Sequence, residues 1–88
     1  MNADQKEQLR LSLLRFLEAN PSRFGLDTSL LWQMARNEGR QALERVEVET
    51  QLTYLAGKKL VEEVSKGVSP ENRAWRISSE GSDFVAMR

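Results

Sequence analysis

Apolar residues recur at helical spacing near the start of the chain and predict a first helix over residues 3–19. The stripe consists of Leu9, Leu13, Phe16 and Leu17, and it is widened by Leu11 and Leu14. Asn2 and Gln5 have the spacing of a capping box, and Pro21 ends the helix because proline disfavours helical backbone at the residue before it. So broad a stripe predicts burial on two sides, by the domain core and by a partner subunit.

Two further helices follow at similar spacing. The second is predicted over residues 28–37, with its inward positions at Leu30, Leu31, Met34 and Ala35. A cap at Asp27, Thr28 or Ser29 begins it, and Gly39 closes it. The third is predicted over residues 42–57, with Gly57 past its end and a narrow inward seam of Val48, Leu52 and Leu55. Two short helices linked through a glycine are typical of a helix-turn-helix.

Alternating residues predict two strands over residues 60–64 and 74–78, joined by a loop rich in glycine, proline, asparagine and serine. Ser78 or Ser79 then caps a short C-terminal helix over residues 79–87. The whole chain, 1–88, is thus predicted to be one mainly α domain with a small β-hairpin (α+β). Its order, α-α-α-β-β-α, is that of a winged helix-turn-helix.

Composition narrows the possible functions. Thirteen basic residues balance thirteen acidic ones, so no overall positive field draws the chain to nucleic acid. Cysteine and histidine are absent from the sequence, which excludes disulfides, zinc fingers and imidazole or thiolate catalysis. We therefore expect no enzyme activity, metal or cofactor. No apolar run is long enough to span a membrane, and the polar start does not resemble a signal peptide, so we expect a cytoplasmic domain.

Four motifs carry a resemblance to a known family: Q-L-R-L-S-L-L-R-F-L-E at 8–18, D-T-S-L-L-W-Q-M-A-R at 27–36, V-E-T-Q-L-T-Y-L-A-G-K-K-L-V at 48–61 and W-R-I-S-S-E-G at 75–81. With them the chain resembles winged-helix proteins, most of all the small ArsR-like proteins of Mu-like phages and prophages. The resemblance implies a phage-encoded, dimeric DNA-binding protein of the transcription-regulator type in the bacterial host cytoplasm. Metal sensing does not carry over, because the chain lacks the cysteine or histidine ligands.

The third helix and the wing contain the candidate contacts to double-stranded DNA. On a helical wheel centred at Val48, the residues that point away from the core are Val46, Thr50, Thr53 and Tyr54. Arg45 can bind a guanine edge and Thr50 a phosphate or thymine methyl group, while Thr53 lies beside them. The wing adds three candidates for the minor groove or the phosphate backbone, Lys66, Asn72 and Arg73.

The same helix supports an alternative, a protein-interaction or phage-assembly module built on a winged-helix scaffold. Glu44, Glu47 and Glu49 flank the candidate groove residues and would repel phosphate, whereas Val46 and Tyr54 suit a protein partner. A homodimer is expected to form through Leu9, Leu13, Phe84 and Met87. Trp75, on an alternating strand, is expected to pack in the core rather than to stack on bases.

Overall fold

Four helices and three short strands make up the part of the chain that the computed structural model describes, residues 1–64 and 73–88. In chain order they are α1 (Ala3–Ala19), β1 (Leu26–Asp27), α2 (Thr28–Asn37), α3 (Arg45–Gly57), β2 (Val61–Val64), β3 (Ala74–Ile77) and α4 (Ser79–Ala86). The fold is therefore mainly helical with a small antiparallel sheet, as the α+β prediction states. No helix among these residues is long and apolar enough to cross a membrane.

The strands form a single sheet in the order β1-β3-β2, with both pairings antiparallel. In β3, Trp75 lies opposite Leu26 on one side and Glu63 on the other. The sequence pattern did not predict the strand β1. Gly25 allows its approach to β3, since its backbone has φ +74° and a side chain there would come within 2.6 Å of the Trp75 carbonyl oxygen. Two residues are too few for alternation to reveal a strand.

The first two helices begin and end where the sequence predicts. Asn2 and Gln5 form the expected capping box, in which the Gln5 N–H donates to Asn2 Oδ1 at 2.8 Å and the Asn2 N–H donates to Gln5 Oε1 at 3.1 Å. At α2, the Leu30 N–H donates to Asp27 Oδ1 at 2.7 Å. Each cap satisfies an N–H that has no partner within its helix.

The third helix ends at the predicted residue 57 but differs from its prediction at its start and in the role of Gly57. It begins at Arg45 rather than at residue 42, and the Glu44 N–H before it donates to Glu47 Oε2 at 2.9 Å. Gly57 is the last helical residue and not the residue past the end. The left-handed position falls instead on Lys59 (φ 64°), where the chain reverses and the Leu60 N–H donates to the Leu55 carbonyl at 3.0 Å.

The first helix lies at the centre of the fold. Leu9, Leu13, Leu14 and Leu17 are all buried, and α1 packs against α2, α3, α4 and β3. The breadth of its apolar stripe, which was attributed partly to a partner subunit, is therefore explained by the chain's own core. Leu9 and Leu13, both predicted to lie in a dimer interface, have no exposed surface to offer to a second copy.

Trp75 is fully buried, and its position in the core, rather than on a base-stacking surface, is confirmed. Its indole Nε1–H donates to the Thr28 hydroxyl at 2.9 Å, and that hydroxyl donates to the Arg73 carbonyl at 3.2 Å. The Thr28 N–H donates to the same carbonyl at 3.0 Å. These bonds fix β3 against the start of α2.

Ser78 joins the end of α3, the sheet and α4. Its hydroxyl donates to the Lys59 carbonyl at 2.6 Å and accepts from the Gly81 N–H at 3.0 Å, which makes it the predicted cap of α4. Its N–H donates to the Leu60 carbonyl at 3.1 Å. Gly81 lies directly against that carbonyl, so α4 can dock here only because residue 81 has no side chain.

Candidate functional site

The outer face of α3, defined here as Val46, Thr50, Thr53 and Tyr54, is exposed to solvent. The helical-wheel prediction of these four positions is confirmed. Val46 is 61% exposed and Tyr54 is 43% exposed, so the face presents one aliphatic and one aromatic side chain to solvent. The residues on the opposite side, Val48, Leu52 and Leu55, are buried as predicted.

The two threonine hydroxyls on this face already donate to the backbone of their own helix. Thr50 Oγ1 donates to the Val46 carbonyl at 2.8 Å, and Thr53 Oγ1 donates to the Glu49 carbonyl at 2.9 Å. A hydroxyl has one proton, so in this arrangement both groups can only accept further hydrogen bonds. A phosphate oxygen needs a donor, and the face therefore offers methyl groups and acceptors instead.

Carboxylates surround the first two turns of α3. Glu44 is exposed, whereas Glu47 and Glu49 are half-buried. Glu47 accepts a hydrogen bond from the Glu44 N–H, and Glu49 lies on the side of α3 that faces the sheet, where it binds Arg73. Arg45, the predicted reader of guanine, is half-buried among them. Acidic side chains near a helix N-terminus stabilise the helix, but they oppose the phosphate that such a terminus would otherwise attract.

Arg73 binds two carboxylates at once, in an arrangement that we call the Arg73 clasp (Arg73, Glu49 and Glu63). Its Nε and Nη2 donate to the two oxygens of Glu63 at 2.8 and 2.9 Å, and its Nη1 donates to Glu49 Oε1 at 2.7 Å. The guanidinium also lies 4.7 Å from the centre of the Trp75 ring. The clasp joins β2 to α3, and it uses the donors that were predicted to contact DNA.

The clasp also shifts the pKa values of Glu63 and Arg73. The hydrogen bonds from Arg73 lower the pKa of Glu63 below 4.5, against a smaller opposing effect of burial, and the nearby positive charge adds to the decrease. The pKa of Arg73 is raised, chiefly by its hydrogen bonds to Glu63, with Glu49 adding to the effect. Both shifts favour the ionised pair throughout the neutral range.

We expect Arg73→Ala to lower the free energy of unfolding by about 1–2 kcal/mol at pH 7. Solvent screening of Glu63, whose side chain is 43% exposed, keeps the loss below the value for a fully buried pair. Because the pKa of Glu63 is lower in the folded chain, its contribution is present above pH 4.5 and disappears as pH falls through the folded pKa. Urea denaturation of wild type and variant at pH 7 and pH 3 measures both effects.

Arg76→Ala is the matched control for this substitution. Arg76 also binds a carboxylate of β2, Glu62, at 2.9 Å, but both side chains are about half exposed. We expect its removal to change the free energy of unfolding by about 0.5 kcal/mol or less. Equal losses in the two variants, or an Arg73→Ala loss that does not shrink at any pH below 4.5, would contradict the role given to the clasp.

Of the other predicted site residues, Lys66 and Asn72 lie outside the described residues, so the predicted positive wing stays a prediction. Phe84 is half-buried against the core, whereas Met87 is 86% exposed at the end of α4.

The adjacent carboxylates of β2 bind different arginines, Glu62 to Arg76 and Glu63 to Arg73. Within residues 1–64 and 73–88, no group of three acidic side chains is placed to hold a metal ion.

One feature of α3 was not predicted. Gln51 is buried on the inner side of the helix, and its Oε1 accepts from Arg10 Nε at 2.7 Å. The Arg10 guanidinium stacks 3.8 Å from the centre of the Tyr54 ring. A polar residue within an otherwise apolar seam was the available signal, since a buried amide requires a hydrogen-bond partner.

Comparison of the chain with protein-family models, curated proteins and solved structures gave no match.

Proposed function

We propose that the chain is a winged helix-turn-helix domain that binds a protein partner through the outer face of α3. The element order supports the scaffold, because α2 and α3 follow each other as a helix-turn-helix and β2 and β3 follow as the hairpin of a wing. The short strand β1 pairs with the other side of β3 and forms an edge of the small sheet.

The observation that carries the choice of partner is the Arg73 clasp. DNA affinity comes largely from lysine and arginine side chains that neutralise phosphates. Arg73 is held between two carboxylates, and Arg76 is bound to Glu62, so these cations are already neutralised. Around the first two turns of α3, the carboxylates Glu44, Glu47 and Glu49 therefore oppose a phosphate.

The exposed side chains also suit a protein. Val46 and Tyr54 place apolar and aromatic area on a rigid helix, and Thr50 and Thr53 add methyl groups beside them. Aromatic residues are enriched in protein interfaces, where their rings contribute contact area. With Glu44 and Glu47 at one end of the face, the matching partner has an apolar groove with basic residues at its rim.

The test uses a photo-crosslinking residue introduced at position 46 in bacterial cells, and the same residue at position 6 as a control. Val46 lies on the outer face of α3 and Lys6 on the exposed side of α1. We expect a discrete protein adduct from position 46 and none from position 6. We also expect Thr50→Glu to remove an adduct formed from position 46, because it places a charge within a contact that is otherwise uncharged on this side. Arg15 lies on the exposed side of α1, away from the proposed contact. Loss of the adduct in an Arg15→Glu variant, with the adduct kept in Thr50→Glu, would contradict the proposed surface.

A second candidate function is duplex DNA binding of the transcription-regulator type, as the resemblance to phage proteins suggests. It is favoured by the exposed positions of Thr50 and Thr53 on the helix that a winged helix-turn-helix inserts into DNA, with Arg45 at the start of that helix. Lys66 and Asn72 would supply the wing contacts. In either case the domain would work in the bacterial cytoplasm, and a homodimer would now have to form through Phe84 and Met87.

Fluorescence anisotropy with a labelled random duplex at low salt separates the two candidates. The protein-partner proposal expects no binding up to about 100 µM protein, weaker than nonspecific DNA binding usually is even at physiological salt. Binding in the micromolar range that is weakened by Arg45→Glu, but not by Arg15→Glu, would establish the DNA candidate in its place.

A further inference from the structure

A recess of about 240 Å³ opens between α1, the end of α3 and α4, away from the start of α3. Its walls are apolar and come from all three helices and the turn after α3: Leu14, Leu55, Leu60 and Phe84. Leu14 and Leu55 are buried, so the floor of the recess is part of the core. A concave apolar site with a few polar groups at its edge is the usual form of a small-molecule site.

Three cations stand at the edge of this recess, Arg10, Lys58 and Arg88. Aromatic rings hold them there. The Arg10 guanidinium lies 3.8 Å and the Lys58 ammonium 5.6 Å from the centre of the Tyr54 ring, and Arg88 lies 4.8 Å from that of Phe84.

One carboxylate, that of Glu7, lines the recess and lies 3.6 Å from Arg88. Among residues 1–64 and 73–88, no carboxylate lies within 4.0 Å of the charged groups of Arg10 or Lys58. The Nε of Arg10 donates to Gln51, which fixes the direction of its guanidinium and leaves the N–H groups of its two Nη atoms out of that bond. Two positive charges are thus set at the mouth of an apolar recess without a matching negative charge.

We propose that this recess binds a small organic acid, with the apolar body among the leucines and Phe84 and the carboxylate between Arg10 and Lys58. The volume is below that of sites for drug-sized ligands, so the matching body is a single ring system or a medium-length acyl chain. Arginine and lysine both favour a carboxylate over a neutral group. The recess shares Tyr54 with the outer face of α3, but its apolar floor lies between α1, the end of α3 and α4, and the proposal does not rest on the function proposed for that face.

The experiment is an NMR titration of the full 88-residue chain with two acids and their neutral isosteres. The acids are octanoate and indole-3-acetate, and the isosteres are octanamide and indole-3-acetamide. We expect shift changes at Leu14, Leu55 and Phe84, with a Kd on the order of 100 µM for at least one acid. The matching amide should bind roughly fivefold more weakly, because it lacks the charge.

Two neighbouring lysines provide a matched pair of variants. Lys58 lines the recess, whereas Lys59 is exposed and does not line it. We expect Lys58→Gln to weaken binding of the acid roughly fivefold and to leave the amide unchanged. Lys59→Gln removes the same charge one residue away and should leave both unchanged. Both positions are exposed, so the variants are expected to unfold at the wild-type temperature, and thermal denaturation checks this.

Three results would overturn the proposal. The first is equal affinity for acid and amide, or no shift change at the recess up to 5 mM of either acid. Equal weakening by the two lysine variants is the second, because it would reflect the general field of the domain. The third is a set of shift changes that depend on protein concentration and that neither acid displaces, which would assign the recess to a second copy of the chain.

Discussion

Replacing Trp75 with alanine is expected to lower the free energy of unfolding by about 3–5 kcal/mol, which is a large part of the stability of a domain this small. The side chain is fully buried in β3, the central strand of the sheet, and it packs among residues of the core cluster. Alanine removes this apolar area and leaves a cavity. The cavity cannot close easily, because backbone hydrogen bonds hold β3 on both sides. Urea denaturation followed by far-UV circular dichroism measures the loss.

Trp75→Phe separates packing from hydrogen bonding at the same site. Phenylalanine keeps much of the ring volume but loses the Nε1–H that donates to Thr28. The Thr28 hydroxyl keeps its own bond to the Arg73 carbonyl, so no buried donor is left unpaired. We expect a loss of about 1–2 kcal/mol. A loss of less than about 1 kcal/mol on Trp75→Ala would show that the residue does not hold the sheet to the helices.

Gly81→Ala is expected to destabilise the chain by about 2–3 kcal/mol, although alanine is the better helix former. A methyl group at this position would overlap the Leu60 carbonyl oxygen and would come within 2.7 Å of the Ile77 side chain. Neither the Leu60 backbone nor the start of α4 can move away easily, because Ser78 binds both. We therefore expect the overlap to be relieved only by breaking the Ser78 hydrogen bonds, which lets α4 shift off the sheet.

Gly57→Ala is the matched control, because it adds the same methyl group at the end of α3. Nothing lies within 4 Å of that position, and its backbone is helical. We expect it to raise the free energy of unfolding by about 0.4–1 kcal/mol. Thermal and urea denaturation of both variants should thus give opposite signs, and the same sign in both would contradict the packing described at Gly81.

Local signals were enough to predict most helices and both strands of the hairpin. Asn2 and Asp27 mark helix starts through their own side chains, so α1 and α2 could be placed without knowledge of the fold. The strand β1 could not, because its pairing with β3 depends on Gly25 passing close to Trp75, far away in sequence. The turn after α3 was also misjudged, because the left-handed residue is a lysine where glycine is usual.

The surface features could also be predicted only where they depend on local sequence. Helical periodicity was enough to place Val46 and Tyr54 on the outside of α3. It could not reveal that Arg73 binds Glu49 and Glu63, because those contacts form only after β2 and β3 pair and α3 packs beside them. Arg73, predicted as a DNA contact, thus also links β2 to α3, a role that the sequence pattern did not predict.

The hydroxyl of Ser78 has a consequence for the order in which the chain can fold. It caps α4 and at the same time binds the Lys59 carbonyl, 19 positions earlier in the chain. The Ser78 side chain is therefore held in its capping orientation only after the end of α3 has packed beside the end of β3. We expect the pairing of β2 with β3 and the formation of α4 to be one cooperative event. This event should follow the formation of the α1 cap, which needs only neighbouring residues.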